Sequence, residues 1–277
     1  MNKQYFNIAK INDSIGEIDI YGEIIDESWR MSDTETSAPS FKDALKELKD
    51  VKQITVNINS GGGDVFSGVA IHNMLKSHKA HVTVKIDGLA ASIASVIAMA
   101  GDKVIIPRNA MLMIHNAWTF AVGNASDLRK QAEDLEKINS VVINSYLDKN
   151  PDIDEDKLRS LMDNETWLTA QEAKDLGLVD VIAEPNKAAA NITKSQIERY
   201  DNVPSKFKNE ESTVETPKET KQEVTADDVM SALDEIKSDV KAILEHVSKD
   251  ETPKEDEEID ASQAQNSFAR LFNMKQY

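Results

Sequence analysis

A serine, a histidine and a run of glycines carry the chemistry legible in this chain. Ser92 lies in Asp87-Gly88-Leu89-Ala90-Ala91-Ser92-Ile93-Ala94-Ser95, between the strand-like residues 82–86 and an apolar helix-like stretch. At a strand-to-helix turn a hydroxyl is held clear of the sheet, beside backbone N–H groups that no helix bond satisfies. Ala90, Ala91 and Ala94 leave room for a substrate backbone, although a close helix–strand contact would use the same small residues. Upstream, Ser60-Gly61-Gly62-Gly63-Asp64 follows a strand-like run (54–59) and precedes helical periodicity over 65–76. Glycines placed there let N–H groups point outward, as either a phosphate loop or an oxyanion hole needs. The run lacks the Lys-Ser/Thr ending of a P-loop and a G-x-G-x-x-G spacing, so nucleotide binding is the weaker use.

His115 ends the apolar run Ala110-Met111-Leu112-Met113-Ile114, where a strand would leave the core. Of the five histidines it alone has that setting. His72 and His78 are expected on or just after a surface helix, His81 at a strand start and His246 in a polar tail. A lone strand-end histidine can be purely structural; with Ser92 it becomes the proton acceptor that a serine nucleophile requires. A carboxylate should fix its tautomer, and Glu165 or Asp163 stands just before a short helix with Thr169 as N-cap, Glu172 as capping-box partner and Gly177 at its end.

Four motifs in this order, Asn59-Ser60-Gly61-Gly62-Gly63, Gly88-Leu89-Ala90-Ala91-Ser92-Ile93, Met113-Ile114-His115 and Trp167-Leu168-Thr169-Ala170-Gln171-Glu172-Ala173-Lys174-Asp175-Leu176-Gly177-Leu178-Val179-Asp180, resemble the caseinolytic protease proteolytic subunit family, ClpP, over residues 15–185. The resemblance implies an α/β fold, a ClpP/crotonase-like spiral of β-β-α units. It implies Ser92 as nucleophile, His115 as base, Gly63 and Ile93 as oxyanion-hole donors, and Gly61 and Gly62 in the substrate loop. It also implies a ring-like homo-oligomer acting on protein or peptide substrates. The chain departs from the family pattern in two places. Ser60-Gly61-Gly62-Gly63 stands where Ser-Pro-Gly-Gly is common, and Glu165 stands two residues before Trp167 where the family has an aspartate. Glutamate is one methylene longer; Glu165 keeps the register, with Asp163 as the fallback.

Composition bounds the rest. The chain has 277 residues, 40% of them hydrophobic and concentrated before about residue 185, so one folded domain with a tail is expected. The absence of cysteine excludes a disulfide framework and thiol catalysis. No metal-ligand spacing stands out, and no cofactor is expected. A net charge of -17 argues against nucleic acid as a partner. The N-terminal residues carry no apolar signal core and residues 93–100 are too short to span a bilayer, so no membrane association and a cytoplasmic location, in the host if viral, are expected.

A long helix is expected from Ala125 through Leu147, with Ser126 as N-cap and an apolar stripe at Leu128, Leu135, Ile138, Val142 and Ile143. By resemblance, part of that stripe faces another subunit. Residues 1–184 are read as the peptidase-like domain and 185–224 as an acidic, polar linker. Residues 225–248 are expected to form a short coiled-coil-like helix (Val229, Leu233, Ile236, Val240, Ile243, Val247), and 249–277 a charged spacer with a terminal apolar docking segment. The tail is thus expected to be largely disordered or helical. Acidic, helical tails on a peptidase are similar to the viral head-maturation proteases of the ClpP class, whose extra segment serves as scaffold; coat or scaffold proteins would be the substrates. Two other classes stay open: a proteolytic subunit driven by an ATP-dependent unfoldase, and a non-proteolytic crotonase-like acyl-CoA enzyme or scaffold protein.

Overall fold

A computed structural model describes residues 6–32, 35–186, 190 and 192–208. The expected coiled-coil-like helix and docking segment lie outside the described residues. β1 (Phe6–Asn12) and β2 (Ile15–Tyr21) form an antiparallel hairpin at one edge of the sheet. β2, β3 (Gln53–Ser60), β4 (His81–Ala91) and β5 (Lys103–Pro107) then lie side by side and parallel. Their crossovers carry α1 (Ala38–Leu45), α2 (Val65–Lys76) and α3 (Ile93–Ala98). This is the repeated strand-and-helix winding expected of the spiral, and parallel neighbours require such crossovers.

β4 forks, and the fork makes the site. Residues 83–85 pair with 103–105 of β5, while residues 89–91 pair with 111–113 of β6 (Met111–Ile114). β7 (Thr166–Thr169) runs antiparallel on β6, and β8 (Val181–Ala183) closes the other edge on β5. The core rests on Ile18, Ile20, Ile54, Val56, Ile58, Val84 and Ile86, which alternate with less buried residues along their strands. His72 is a correction to the surface expectation: it lies on α2 but is only 5% exposed.

The expected long helix is α4 (Ala125–Lys149), and its cap is Asn124 rather than Ser126. The Asn124 side chain accepts from the Ser126 and Asp127 amides, and Asp127 answers to the Asn124 N–H, a reciprocal pair that Ser126 sits too late to make. Only the C-terminal part of the stripe meets the core, through Val142, Ile143 and Tyr146; Leu128 is exposed. α5 (Glu155–Asp163) and α6 (Ala170–Asp175) follow, and Thr169 caps α6 through a capping box with Glu172, as expected.

The stretch read as a linker from residue 185 does not behave as one throughout. α7 (Lys194–Arg199) and α8 (Ser205–Lys208) are helical, and Gln196, Tyr200, Val203 and Phe207 are buried. These residues cover the outer face of the fork, where Leu89, Ala91, Met111 and Met113 form a second apolar cluster with Tyr200, Val203 and Phe207. Burial of each such side chain stabilises by roughly 2 kcal/mol, enough to overcome a polar composition. Ile192, Ile197, Tyr200, Val203 and Phe207 recur every three to five residues behind a Thr193 capping box with Gln196; that signal was outweighed by the surrounding Lys, Asn, Thr and Ser.

Candidate active site

β3, β4 and β6 end together, and ligands of parallel sheets bind outside such carboxyl ends. Ser92 follows the last residue of β4 with φ 55° and ψ -130°, a backbone held out of the ordinary regions. Hydrogen bonds to β6 and to Ser95 hold it there. The Ser92 N–H donates to Met113 O at 2.9 Å, and Ser92 O accepts from Ser95 Oγ at 2.6 Å. Ser95 Oγ in turn contacts the Tyr146 hydroxyl at 2.7 Å, which ties the turn to α4. His115 lies two residues beyond Met113, so the strand register itself brings its ring to Ser92: Nε2 is 2.7 Å from Oγ. The loop after His115 is pinned by Ala117 N, which donates to Asn139 Oδ1 on α4 at 2.7 Å.

The glycine run sits across from this pair. Gly63 has φ +147°, and a Cβ there would fall 1.9 Å from Ile24 O; Gly62 has φ +91°, and a Cβ there would fall 2.7 Å from the Ser92 Cβ. Both positions therefore exclude a side chain. Ser60 braces the turn, its hydroxyl donating to Gly22 O and accepting from Gly62 N at 3.1 Å. Among the described residues, the N–H groups of Gly63 and Ile93 are given to no other group.

The two candidate carboxylates have different surroundings. Glu165 is half-buried and its negative charge raises the His115 pKa, working against burial, the larger effect, which holds that pKa below the usual histidine value. Asp163 is exposed, and its Oδ1 accepts from Asn116 Nδ2 at 2.7 Å. Glu165 has a left-handed backbone, φ 44°, just past the end of α5. Its carboxylate accepts from Asp201 N (2.9 Å), Asn202 N (2.8 Å) and Trp167 Nε1 (3.2 Å).

Tyr200 is a residue that the sequence reading did not single out. Its ring meets the His115 ring edge-on, with centroids 5.4 Å apart and planes at 87°, and its hydroxyl donates to Gly61 O. Burial pushes the phenol up to about 12, with the Ser92 side chain nearby working the other way, so at neutral pH it is a donor. In front of Ser92 and His115 opens a cleft of about 460 Å³ with Trp29, Phe66 and Trp118 on its walls. All three side chains are well exposed. Among the described residues no cluster of His, Asp and Glu could hold a metal ion, and no helix is long and apolar enough to cross a membrane.

The components an acyl-transfer site uses are close together: an alcohol against an imidazole, a carboxylate whose field reaches that imidazole though its hydrogen bonds go to Trp167, Asp201 and Asn202, and two amides given to no other group among the described residues. Comparison with known proteins gives the family. The family described as Clp protease matches residues 32–186. The chain is 32% identical over 139 residues to the ATP-dependent Clp protease proteolytic subunit of Deinococcus radiodurans, covering 49% of this chain and 67% of that protein. The subunits so named from Bacteroides thetaiotaomicron and Bacteroides fragilis are 33% and 34% identical over 134 residues, 47% of this chain, with 60% and 64% of their own length covered. With more than half of its residues inside the family match and the mostly parallel sheet in place, the chain belongs to the Clp protease family of serine peptidases.

Proposed function

We propose that this chain is a serine endopeptidase in which Ser92 attacks the scissile carbonyl and His115 takes its proton. Glu165 supports the imidazolium electrostatically, and the Gly63 and Ile93 amides receive the oxyanion. The observation that carries the reading is the 2.7 Å contact between His115 Nε2 and Ser92 Oγ, which points into an open cleft. The attack forms a Ser92 acyl-enzyme; His115 then protonates the leaving amine and activates the water that releases the acyl group. Each oxyanion donor lowers the barrier by about 3 kcal/mol. The exposed Trp118, Phe120 and Leu128 offer an apolar surface to a second copy, in keeping with a ring-like homo-oligomer.

The acidic tail favours a role in viral head maturation, with coat or scaffold protein as the substrate. The names of the relatives favour a second reading, a proteolytic subunit that works with an ATP-driven unfoldase. Family membership weighs against an acyl-CoA enzyme. A fluorophosphonate probe should label the wild-type chain and not Ser92→Ala; a wild type that stays unlabelled overturns the peptidase reading. Incubating the full chain with coat protein alone, or with folded protein plus an unfoldase and ATP, separates the two roles by which substrate disappears.

A further inference from the structure

Residues 193–207 touch each component of the site, and Gln196, Arg199 and Tyr200 also line the cleft in front of Ser92 and His115. Tyr200 lies edge-on against His115 and donates to Gly61 O; the next two amides, of Asp201 and Asn202, bind the Glu165 carboxylate. Gln196, 2% exposed, packs so closely on the glycine turn that a Cβ at Gly61 would fall 2.6 Å from its Oε1. Arg199 pairs with Glu23 at 2.8 Å, next to the Ile24 backbone that packs on Gly63. Gly61 and Glu165 are the two places where the chain departs from the family pattern, and both touch this segment. A proline or any other side chain at 61 would displace Gln196, and a carboxylate shortened by one methylene would fall short of the two amides.

We propose that residues 193–207 are a built-in support of the catalytic site, with Tyr200 as a positioning residue that holds the His115 ring and the oxyanion turn in register while the adjoining amides hold Glu165. The alternative for a segment so near a nucleophile is occlusion, and the contacts speak against it. The segment donates to the loop carbonyl and to the carboxylate, while the Gly63 and Ile93 amides stay open and the cleft before Ser92 remains. Gln196, Arg199 and Tyr200 form one wall of that cleft and leave Ser92 and His115 open to it. The anchor is apolar: Tyr200, Val203 and Phe207 share a cluster with the strand residues just before Ser92 and His115. Movement of the segment therefore displaces both reacting side chains, and misplacements near 1 Å lower rates on the order of 100-fold.

This inference rests on the peptidase reading, and the test separates the two. The full chain and its variants are titrated with a fluorophosphonate to count reactive sites, then assayed on a fluorogenic peptide with a large apolar residue at the cleaved position. Tyr200→Ala should lower kcat per titrated site by about 10- to 100-fold with KM changed less than about threefold. Tyr200→Phe keeps the ring against His115 but loses the hydroxyl with its bond to Gly61 O and its interaction with the Ser92 side chain, so it should recover part of that loss and stay below wild type. Should Tyr200→Ala fail to fold, Gly61→Ala, which displaces Gln196, and Tyr200→Phe carry the test, and both must lower kcat. Unchanged kcat per site in these variants overturns the proposal, and raised kcat overturns it in favour of occlusion. A wild type that does not label indicts the peptidase reading instead.

Discussion

The Ser92 amide donates to the Met113 carbonyl oxygen at 2.9 Å, and through that bond the Ser92 turn continues the pairing of β4 with β6. Because His115 is two residues further on, the Ser92–His115 distance is set by strand register and not by loop packing. A side chain placed by a ladder of backbone bonds has little freedom to drift, which suits a reaction whose atoms must meet within a fraction of an ångström.

The oxyanion turn should be intolerant of a single methyl group. In Gly63→Ala the new Cβ meets Ile24 O, and φ +147° disfavours any side chain. The N–H must then rotate away from the cleft. Loss of one donor predicts a fall in kcat of about 100- to 1,000-fold, read by peptide hydrolysis alongside circular dichroism. Near-wild-type turnover would rule out the Gly63 amide as a donor.

Activity should fall on the acid side with a midpoint below 6.5. His115 must be neutral to accept a proton, and burial lowers its pKa while Glu165 raises it. Glu165→Gln removes the raising influence, so the midpoint should move further down as the plateau drops. A kcat profile against pH for both proteins checks the sign; an upward move in Glu165→Gln would show that the carboxylate does not act on this ring.

Asp163 and Glu165 should separate cleanly. Asp163 is exposed and bound to Asn116, so Asp163→Asn is expected to change kcat by less than about threefold, while Glu165→Gln lowers it by ten or more. The reverse order would transfer the acidic role to Asp163.

His72 predicts a stability effect with no bearing on catalysis. Its Nδ1 is buried without a hydrogen-bond partner among the described residues, and burial, with Lys76 adding to it and Asp148 opposing, lowers its pKa to about 4. The unfolded chain takes up this proton near 6.5 and the folded one only near 4, so the stability that neutral His72 allows is complete above 6.5 and is lost as pH falls towards 4. The loss is on the order of 3 kcal/mol. Urea midpoints of wild type and His72→Leu at pH 7 and pH 5 should converge or cross; parallel shifts would show that His72 does not titrate in this window.

The order of the chemistry was legible because each motif is local. The Ser60 to Gly63 turn, the Ser92 turn and the Thr169 cap each announce themselves within a few residues. What was not legible is relational. Nothing near Glu165 shows that its carboxylate bonds to amides some thirty-five residues onward, and nothing near Gly61 shows that Gln196 occupies the space a proline ring would need. His72 sits in a mostly apolar helix, and whether it falls on the buried face is decided by what packs against that helix. The Tyr200 segment was hidden by its own composition, since five apolar residues among many charged ones read as solvated chain until the exposed face of the β4 fork is known.

The parts that converge on Ser92 come from positions 61 to 63, 115, 165 and 200 to 202, so they are widely spread along the chain. During synthesis the ribosome delivers the glycine turn first and the tyrosine last. A polypeptide made only as far as His115 therefore holds the serine and the histidine before Glu165 and the Tyr200 segment have been added.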